Sequence, residues 1–440
     1  MRIGLFAMSG IRACDKELLR LGLTLPGFVD RSKTIASLPS LGLLYLAACT
    51  PAGHEIEYFE AEGDGTEPAE VYQCDLVAIS TFSAQVNEAY AIADRLRKCG
   101  VKVAMEGLHV SVCPLEAAGH ADYVAIGEGE NVWPTIVKAA ENNALPQTFN
   151  ARDFPPVDVS KLPTPRFDLL ADRPYNRFTV QTSRGCPWRC DFCASNIMLG
   201  QRYRKRPVDD VIRDIQAIAR LREHPFIEFA DDNTFVDKTW GKEFCRRLIP
   251  LHLKWFTETD VTVADDTELL ELMREAGCRQ VLIGFESPTS QALEGIELRS
   301  NFKARQCNRA ASAIERIQSH GITVDGCFIL GLDSHGPEIF EQVLDFVVEH
   351  SLYDVQITIL TPFPGTQLYD RLLREGRILH PGRWELCTLF DVNYRPMRMS
   401  PDELRNGIYW LSERLYSAEC TAKRRKRFFQ QVRKRAAVAG

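Results

Sequence analysis

The chain reads as an α/β protein built from two parallel-sheet units in series. The first is an N-terminal Rossmann-like doubly wound sheet. The second is a partial (β/α)6 TIM-like barrel, followed by a small mixed and helical C-terminal region. Three observations lead there. Short apolar runs recur along residues 1–370, as strands buried on both faces do. Helix-length segments with apolar residues three and four apart separate them, as parallel connections require. Between residues 142 and 176 the alternation lapses into a stretch holding six prolines, which divides one series from the next.

The first series, residues 1–141, opens with an apolar strand at Arg2–Ala7. "SLGLLYLAACTPAG" forms a helix ending at Gly53, and "HEIEYFEA" a strand. "CDLVAIST" is a buried strand, and the helix "AQVNEAYAIADRLRKCG" ends at a C-cap glycine, Gly100. The strand "VKVAMEG", a short helix near "PLEAAG", the strand "ADYVAIGEG" and the helix "NVWPTIVKAA" complete it. After the 142–176 connector, the second series (177–370) starts at "RFTVQTSRG". Its later strands are "FIEFADD", "KWFTETD", "QVLIGFES", "TVDGCFILGL" and "DVQITILTPF". Six βα units fall short of the eight in a closed barrel. Residues 371–440 are mixed and end in a helix near Pro401–Ser417.

Composition excludes several classes. With 440 residues, 45% hydrophobic and 25% charged, the chain can bury more than one core and is neither disordered nor collagen-like. No apolar run reaches the ~18 residues of a membrane helix, and the N-terminus lacks a signal-peptide layout. The expectation is a cytoplasmic protein without a membrane partner. Net charge is −6, yet residues 421–440 carry eight Lys/Arg and no acid, so the first 420 residues stand at −14. That tail reads as a solvated, fraying helix. A nucleic-acid partner would rest on it alone and is not expected.

Three of the fourteen cysteines stand apart. "RGCPWRCDFCAS" places Cys186, Cys190 and Cys193 at CxxxCxxC spacing on the loop leaving the first barrel strand, the end where barrel enzymes keep their chemistry. A structural zinc site wants four protein ligands, and no fourth Cys or His lies within twenty residues on either side. Three thiolates leave one iron of a [4Fe–4S] cluster free for a substrate or cofactor. A zinc site completed by a distant residue is the alternative.

On this motif, with Phe192 before the third cysteine, the barrel resembles the radical S-adenosylmethionine (SAM) superfamily. The resemblance implies that the cysteines hold the cluster and that its open iron chelates the methionine moiety of SAM. Reductive cleavage then yields a 5′-deoxyadenosyl radical. It also implies SAM contacts at the strand ends: Asp231 and Asp232 in "EFADDNTF", Glu258 (with Asp260) in "TETD", and Glu286 and Ser287 in "IGFES". One of the two aspartates is expected to serve a turn. A buried ammonium does need a charged partner.

The first series resembles the cobalamin-binding domain that precedes the barrel in one branch of that superfamily. The matching segments carry Leu41 and Gly42; Ser80, Thr81 and Ser83; Gly107 and His109; and Gly127, Glu128 and Gly129. They leave strand ends, where open parallel sheets bind ligands. No Asp-x-His-x-x-Gly is present, so bound cobalamin is expected base-off without a lower histidine ligand. Glu106 stands where the branch usually has glycine. A flavodoxin-like domain with another ligand is the alternative.

Together these imply a cobalamin-dependent radical enzyme that methylates an unactivated carbon of a small-molecule substrate, using an external flavodoxin- or ferredoxin-type reductant. An oxidative cyclase or rearrangement enzyme with the same cofactors, or a non-catalytic sensor, would also carry these motifs.

Overall fold

The computed structural model describes all residues except 9, 11–12, 22–37, 62–65, 174, 176, 201 and 440, and the side chains of 436–439. Among the described residues no helix is long and apolar enough to cross a membrane.

The first unit is a six-stranded, all-parallel sheet. Its strands are β1 (Arg2–Ala7), β2 (Glu55–Glu60), β3 (Leu76–Ser80), β4 (Lys102–Glu106), β5 (Tyr123–Ile126) and β6 (Gln147–Asn150), in spatial order β2-β1-β3-β4-β5-β6. The order reverses beside β1, which opens the ligand crevice of a doubly wound sheet at the β1/β3 strand ends. Both faces are covered. Ile3 and Leu5 pack toward the helices Leu41–Cys49 and Trp133–Glu141, while Phe6, Val77 and Ile79 meet the helix Val86–Lys98. β6 falls inside the stretch read as connector. Gln147 and Thr148 are exposed, so this edge strand carries no apolar run to announce it.

The second unit holds six parallel strands in sequence order: β7 (Arg177–Val180), then β10 (Phe226–Phe229), β11 (Lys254–Thr259), β12 (Cys278–Glu286), β13 (Thr323–Leu330) and β14 (Asp354–Ile359). A two-stranded antiparallel pair, β8 (Ser183–Arg184) and β9 (Arg204–Lys205), rises from the end of β7. The outward strand residue Phe229 meets Phe244 of the helix Lys238–Leu248 edge-on at 5.1 Å, and Trp255 of the next strand edge-on at 5.3 Å. This open six-strand barrel is the architecture expected.

The basic tail is not a fraying end. Residues Ala418–Ala439 form a helix docked under the barrel. Arg424, 2% exposed, donates to the carbonyls of Leu352 (3.0 Å), Tyr353 (3.1 Å) and Leu415 (2.9 Å). Arg425 pairs with Asp354 at 3.3 Å, and Arg435 with Glu271 at 3.1 Å. Cations at these positions satisfy carbonyls and an acid at the N-terminal end of β14, which a charge count cannot show.

Candidate active site

The cysteine loop is the excursion between β8 and β9. Gly185 turns the chain into it at φ 80°, where a Cβ would stand 2.7 Å from the Arg202 carbonyl and 2.8 Å from that of Gly200. A side chain there would displace backbone. Glu297 fastens the far side. It accepts from the backbone N–H groups of Arg189 (3.1 Å), Ser300 (2.8 Å) and Phe302 (3.2 Å). Burial opposes its ionisation, but these bonds and one from the Ser300 hydroxyl hold its carboxyl at about 2. Trp188 stacks on Phe302 at 3.7 Å and donates to Asp260 Oδ2 at 3.1 Å, tying the loop to the end of β11. Phe192 is half-buried against the core.

Burial raises all three thiols, Cys186 to about 12. They ionise when a cationic centre compensates. Among the described residues, one group of three or more potential ligands lies within the mutual 4.8 Å that a single ion needs, and these cysteines are not it.

The two aspartates after β10 part company. Asp231, 4% exposed, accepts from Thr182 N (2.8 Å), Thr182 Oγ1 (2.6 Å), Ser183 N (2.8 Å) and Thr234 Oγ1 (2.9 Å). Its oxygens are committed to the base of the cysteine loop. Asp232 lies beside Cys186 and Cys193, its carboxyl raised by burial, and its Oδ2 is buried without a hydrogen bond. Glu258 points into the barrel and keeps exposed surface, as does Ala230, so the barrel is open at this end. Enclosure, then the charges of Asp232, Glu228, Asp231 and Glu286, push Glu258 up to about 8.

Glu286 is already paired: Lys303 Nζ lies 2.8 Å away and also donates to Gly284 O at 2.6 Å. Ser287, 2% exposed, shares a hydrogen bond with His335 Nε2 at 3.1 Å. Nothing local in "NFKARQ" marks Lys303 as a partner seventeen residues downstream.

Deeper in the barrel, Asp325 is 0% exposed and neither carboxyl oxygen has a hydrogen bond. Burial first, then the charges of Asp354 and Glu258, raise it far above the usual carboxylate range. Below it, Gln280 donates to Asp354 at 2.8 Å, and Arg425 closes the end.

The edge of the first sheet meets this mouth. Glu128 is held by Arg184 at 2.8 Å and by Arg204 at 2.9 Å, and Arg184 also pairs with Glu130. Arg184 precedes the cysteine loop by two residues and is 5% exposed, so one guanidinium joins the two units. Gly107, at φ 115°, lies against the Thr81 backbone, where a Cβ would stand 2.5 Å from the carbonyl. Thr81 (2%) and Ser83 (1%) are buried, Thr81 bonded to Phe82 O and Ser83 to His109 Nδ1 at 3.0 Å. Ser80 remains accessible at the edge, and Leu41 is half-buried. The N–H of Gly127 (φ 86°) donates to Ser111 Oγ at 2.9 Å. A Cβ on Gly42 would lie 3.9 Å from Glu106 Oε1. Glu106, Ala78, Ala104, Ala125, Gly129 and Trp133 line a narrow cleft between the sheet and two helices. Burial raises Glu106 to about 7 against the Ser80 hydrogen bond, and its Oε1 has no partner.

The aromatic residues between Gly376 and Tyr416, which the sequence offers as a wall for the substrate side, are mostly structural. Tyr394 (0%) and Phe390 (4%) are core, and Tyr409 bonds Asp15 at 2.6 Å. Trp410 packs under Arg414. Trp384 alone stands at the junction, 5.0 Å from His109.

Comparison with known proteins agrees with this layout. Residues 180–347 match the radical SAM superfamily, 32–137 the B12-binding domain, and 366–439 a domain of unknown function (DUF4070). The bacteriochlorophyllide d C-8(2)-methyltransferase of Chlorobaculum tepidum is 27% identical over 381 residues, covering 82% of each chain. The hopanoid C-2 methylase of Rhodopseudomonas palustris is 27% identical over 355 residues, 78% of this chain and 66% of that one. The radical SAM methyltransferase TsrM of Kitasatospora setae, solved with tryptophan and a SAM analogue, superposes with a TM-score of 0.64 at 14% identity. It covers 93% of this chain and 83% of its own, a likeness of fold.

Proposed function

We propose that this chain, a member of the radical SAM superfamily with a B12-binding domain ahead of its barrel, is a C-methyltransferase acting on an unactivated carbon of a small molecule. The observation that carries the reading is the junction. Arg184 ties the edge loop of the first sheet to the base of the CxxxCxxC loop, above a barrel mouth lined with carboxyls. When bound, a [4Fe–4S] cluster, SAM and cobalamin supply an electron, a 5′-deoxyadenosyl radical and a transferable methyl group.

The residues present fit that set. Cys186, Cys190 and Cys193 hold the cluster, and Asp231 and Glu297 fix the loop that carries them. Asp232, beside the cysteines with its Oδ2 unpaired, receives the SAM ammonium, and Glu258 supplies further negative charge once a cation arrives. Glu286, neutralised by Lys303, acts as a hydrogen-bond acceptor rather than a net charge. Ser80 and the Gly107 and Gly127 turns bring backbone close to a large planar ligand. The helix Ala418–Ala439 excludes water from below. An external flavodoxin- or ferredoxin-type donor completes the system, in the cytoplasm.

The test is anaerobic turnover of reconstituted full-length protein with SAM, cobalamin and a low-potential reductant. Expected are release of 5′-deoxyadenosine from wild type and none from Cys186→Ala. With a substrate, the product gains one methylene unit. A product without that gain would mark a cyclase or rearrangement enzyme. No SAM cleavage by protein holding an intact cluster would overturn the reading.

A further inference from the structure

A second constellation lies in the first unit, away from the cysteine loop. A ring nitrogen of His109, Cys113 Sγ and a Glu116 carboxylate oxygen all lie within 4.8 Å of one another, His109 on the short helix Leu108–Val112, Glu116 on Pro114–Ala117 and Cys113 on the turn between them. His109 is 0% exposed. Its Nδ1 is bonded to Ser83 Oγ at 3.0 Å, and its Nε2 faces Glu116 Oε1 at 3.5 Å without a hydrogen bond. The Tyr90 hydroxyl, also buried and without a hydrogen bond, faces the same Glu116 and Cys113. The other Glu116 oxygen accepts from Trp384 Nε1 at 3.2 Å.

We propose that His109 Nε2, Cys113 Sγ and Glu116 Oε1 bind one zinc-type divalent cation, whose fourth position is left to water. One imidazole, one thiolate and one carboxylate form a borderline donor set that suits zinc over magnesium or calcium. At the bond lengths of such a site, tetrahedral ligands stand about 3.3–3.8 Å apart. The His109–Glu116 pair is already at 3.5 Å, and the set needs to contract by at most about 1.5 Å from its present 4.8 Å limit. The outer contacts are those a metal site requires. In the Nδ1–H tautomer His109 donates to Ser83 Oγ and its Nε2 lone pair is bare, and Trp384 orients the carboxylate. Glu116 is exposed, so an ion reaches the site from solvent. The ion fastens the segment after Gly107 against Trp384 of the C-terminal region, bracing the sheet edge next to the junction.

The experiment uses full-length protein reconstituted with iron and sulfide, equilibrated with Zn²⁺, desalted and assayed for both metals. Expected are one zinc per chain beside about four irons, with the zinc lost and the iron kept in His109→Ala and Cys113→Ser. Replacing zinc by Co²⁺ gives a thiolate-to-cobalt charge-transfer band in wild type that is absent from Cys113→Ser. Because His109 is buried, the exposed Glu116→Gln serves as a second arm that leaves the core untouched. It weakens zinc at least tenfold against a competing chelator at unchanged unfolding midpoint. No zinc in wild type, zinc kept in both His109→Ala and Cys113→Ser, or equal chelator competition in Glu116→Gln overturns the proposal.

Discussion

Replacing Glu106 by Gln removes a pH dependence from the first sheet. Folding buries this carboxyl and lifts it from 4.5 to about 7, despite the Ser80 hydrogen bond. Between those values the folded chain holds a proton that the unfolded chain has lost. Stability of the wild type therefore falls as pH rises through this window and levels off above it. At 1.36 kcal/mol per unit, the whole shift is worth about 3 kcal/mol, of which about 2 kcal/mol is lost between pH 5.5 and 8. Glu106→Gln keeps the shape and a neutral group, so it lacks this slope and is the more stable protein at pH 8. Hydrogen exchange of β3 and β4 amides, corrected for intrinsic rate, reads the local opening free energy without assuming two-state unfolding of a multidomain chain. Equal slopes in the two proteins, or wild-type stability that rises with pH in this window, would refute the reasoning.

Alanine at Cys186, Cys190 or Cys193 abolishes cluster absorption and SAM cleavage, while Cys278→Ala, in the core, leaves iron content unchanged; metal analysis decides. Asp232→Asn keeps the cluster and weakens SAM binding, whereas Asp231→Ala, which strips four hydrogen bonds from the base of the loop, lowers cluster retention; iron content and SAM affinity measured on both variants separate the roles. Arg184→Met leaves Glu128 and Glu130 facing each other without their shared cation and destabilises the junction by about 3–5 kcal/mol, seen as raised exchange in residues 127–130. Cobalamin binds with a base-off spectrum, which Gly127→Val blocks at φ 86° and which His109→Ala leaves unchanged; a histidine-ligated spectrum lost in His109→Ala would count against the assignment.

What could be read along the chain was local. Parallel strands buried on both faces announce themselves as apolar runs, and three cysteines within eight residues need no fold to be seen together. Edge strand β6, exposed at Gln147 and Thr148, gave no such run. The division of labour between Asp231 and Asp232 depends on which one meets Thr182, forty-nine residues earlier. Glu128 looked like a ligand contact because its partners, Arg184 and Arg204, lie 56 and 76 residues away. Likewise the basic tail looked solvated, since the carbonyls that its arginines cap belong to Leu352 and Tyr353, on the turn into β14. Charges are legible in a sequence; the desolvation that decides what they do is set by remote chain.

The helix beneath the barrel has a consequence for the order of events. With Arg424 and Arg425 covering the strand starts, the barrel is a vessel filled through the mouth at its strand ends. Whatever seats deepest must arrive before its neighbours and depart after them. Traffic is thus last in, first out, and a spent molecule lodged low waits behind whatever lies above it. Shortening the chain before Arg424 would turn the vessel into a tube, and the queue would vanish along with the dryness.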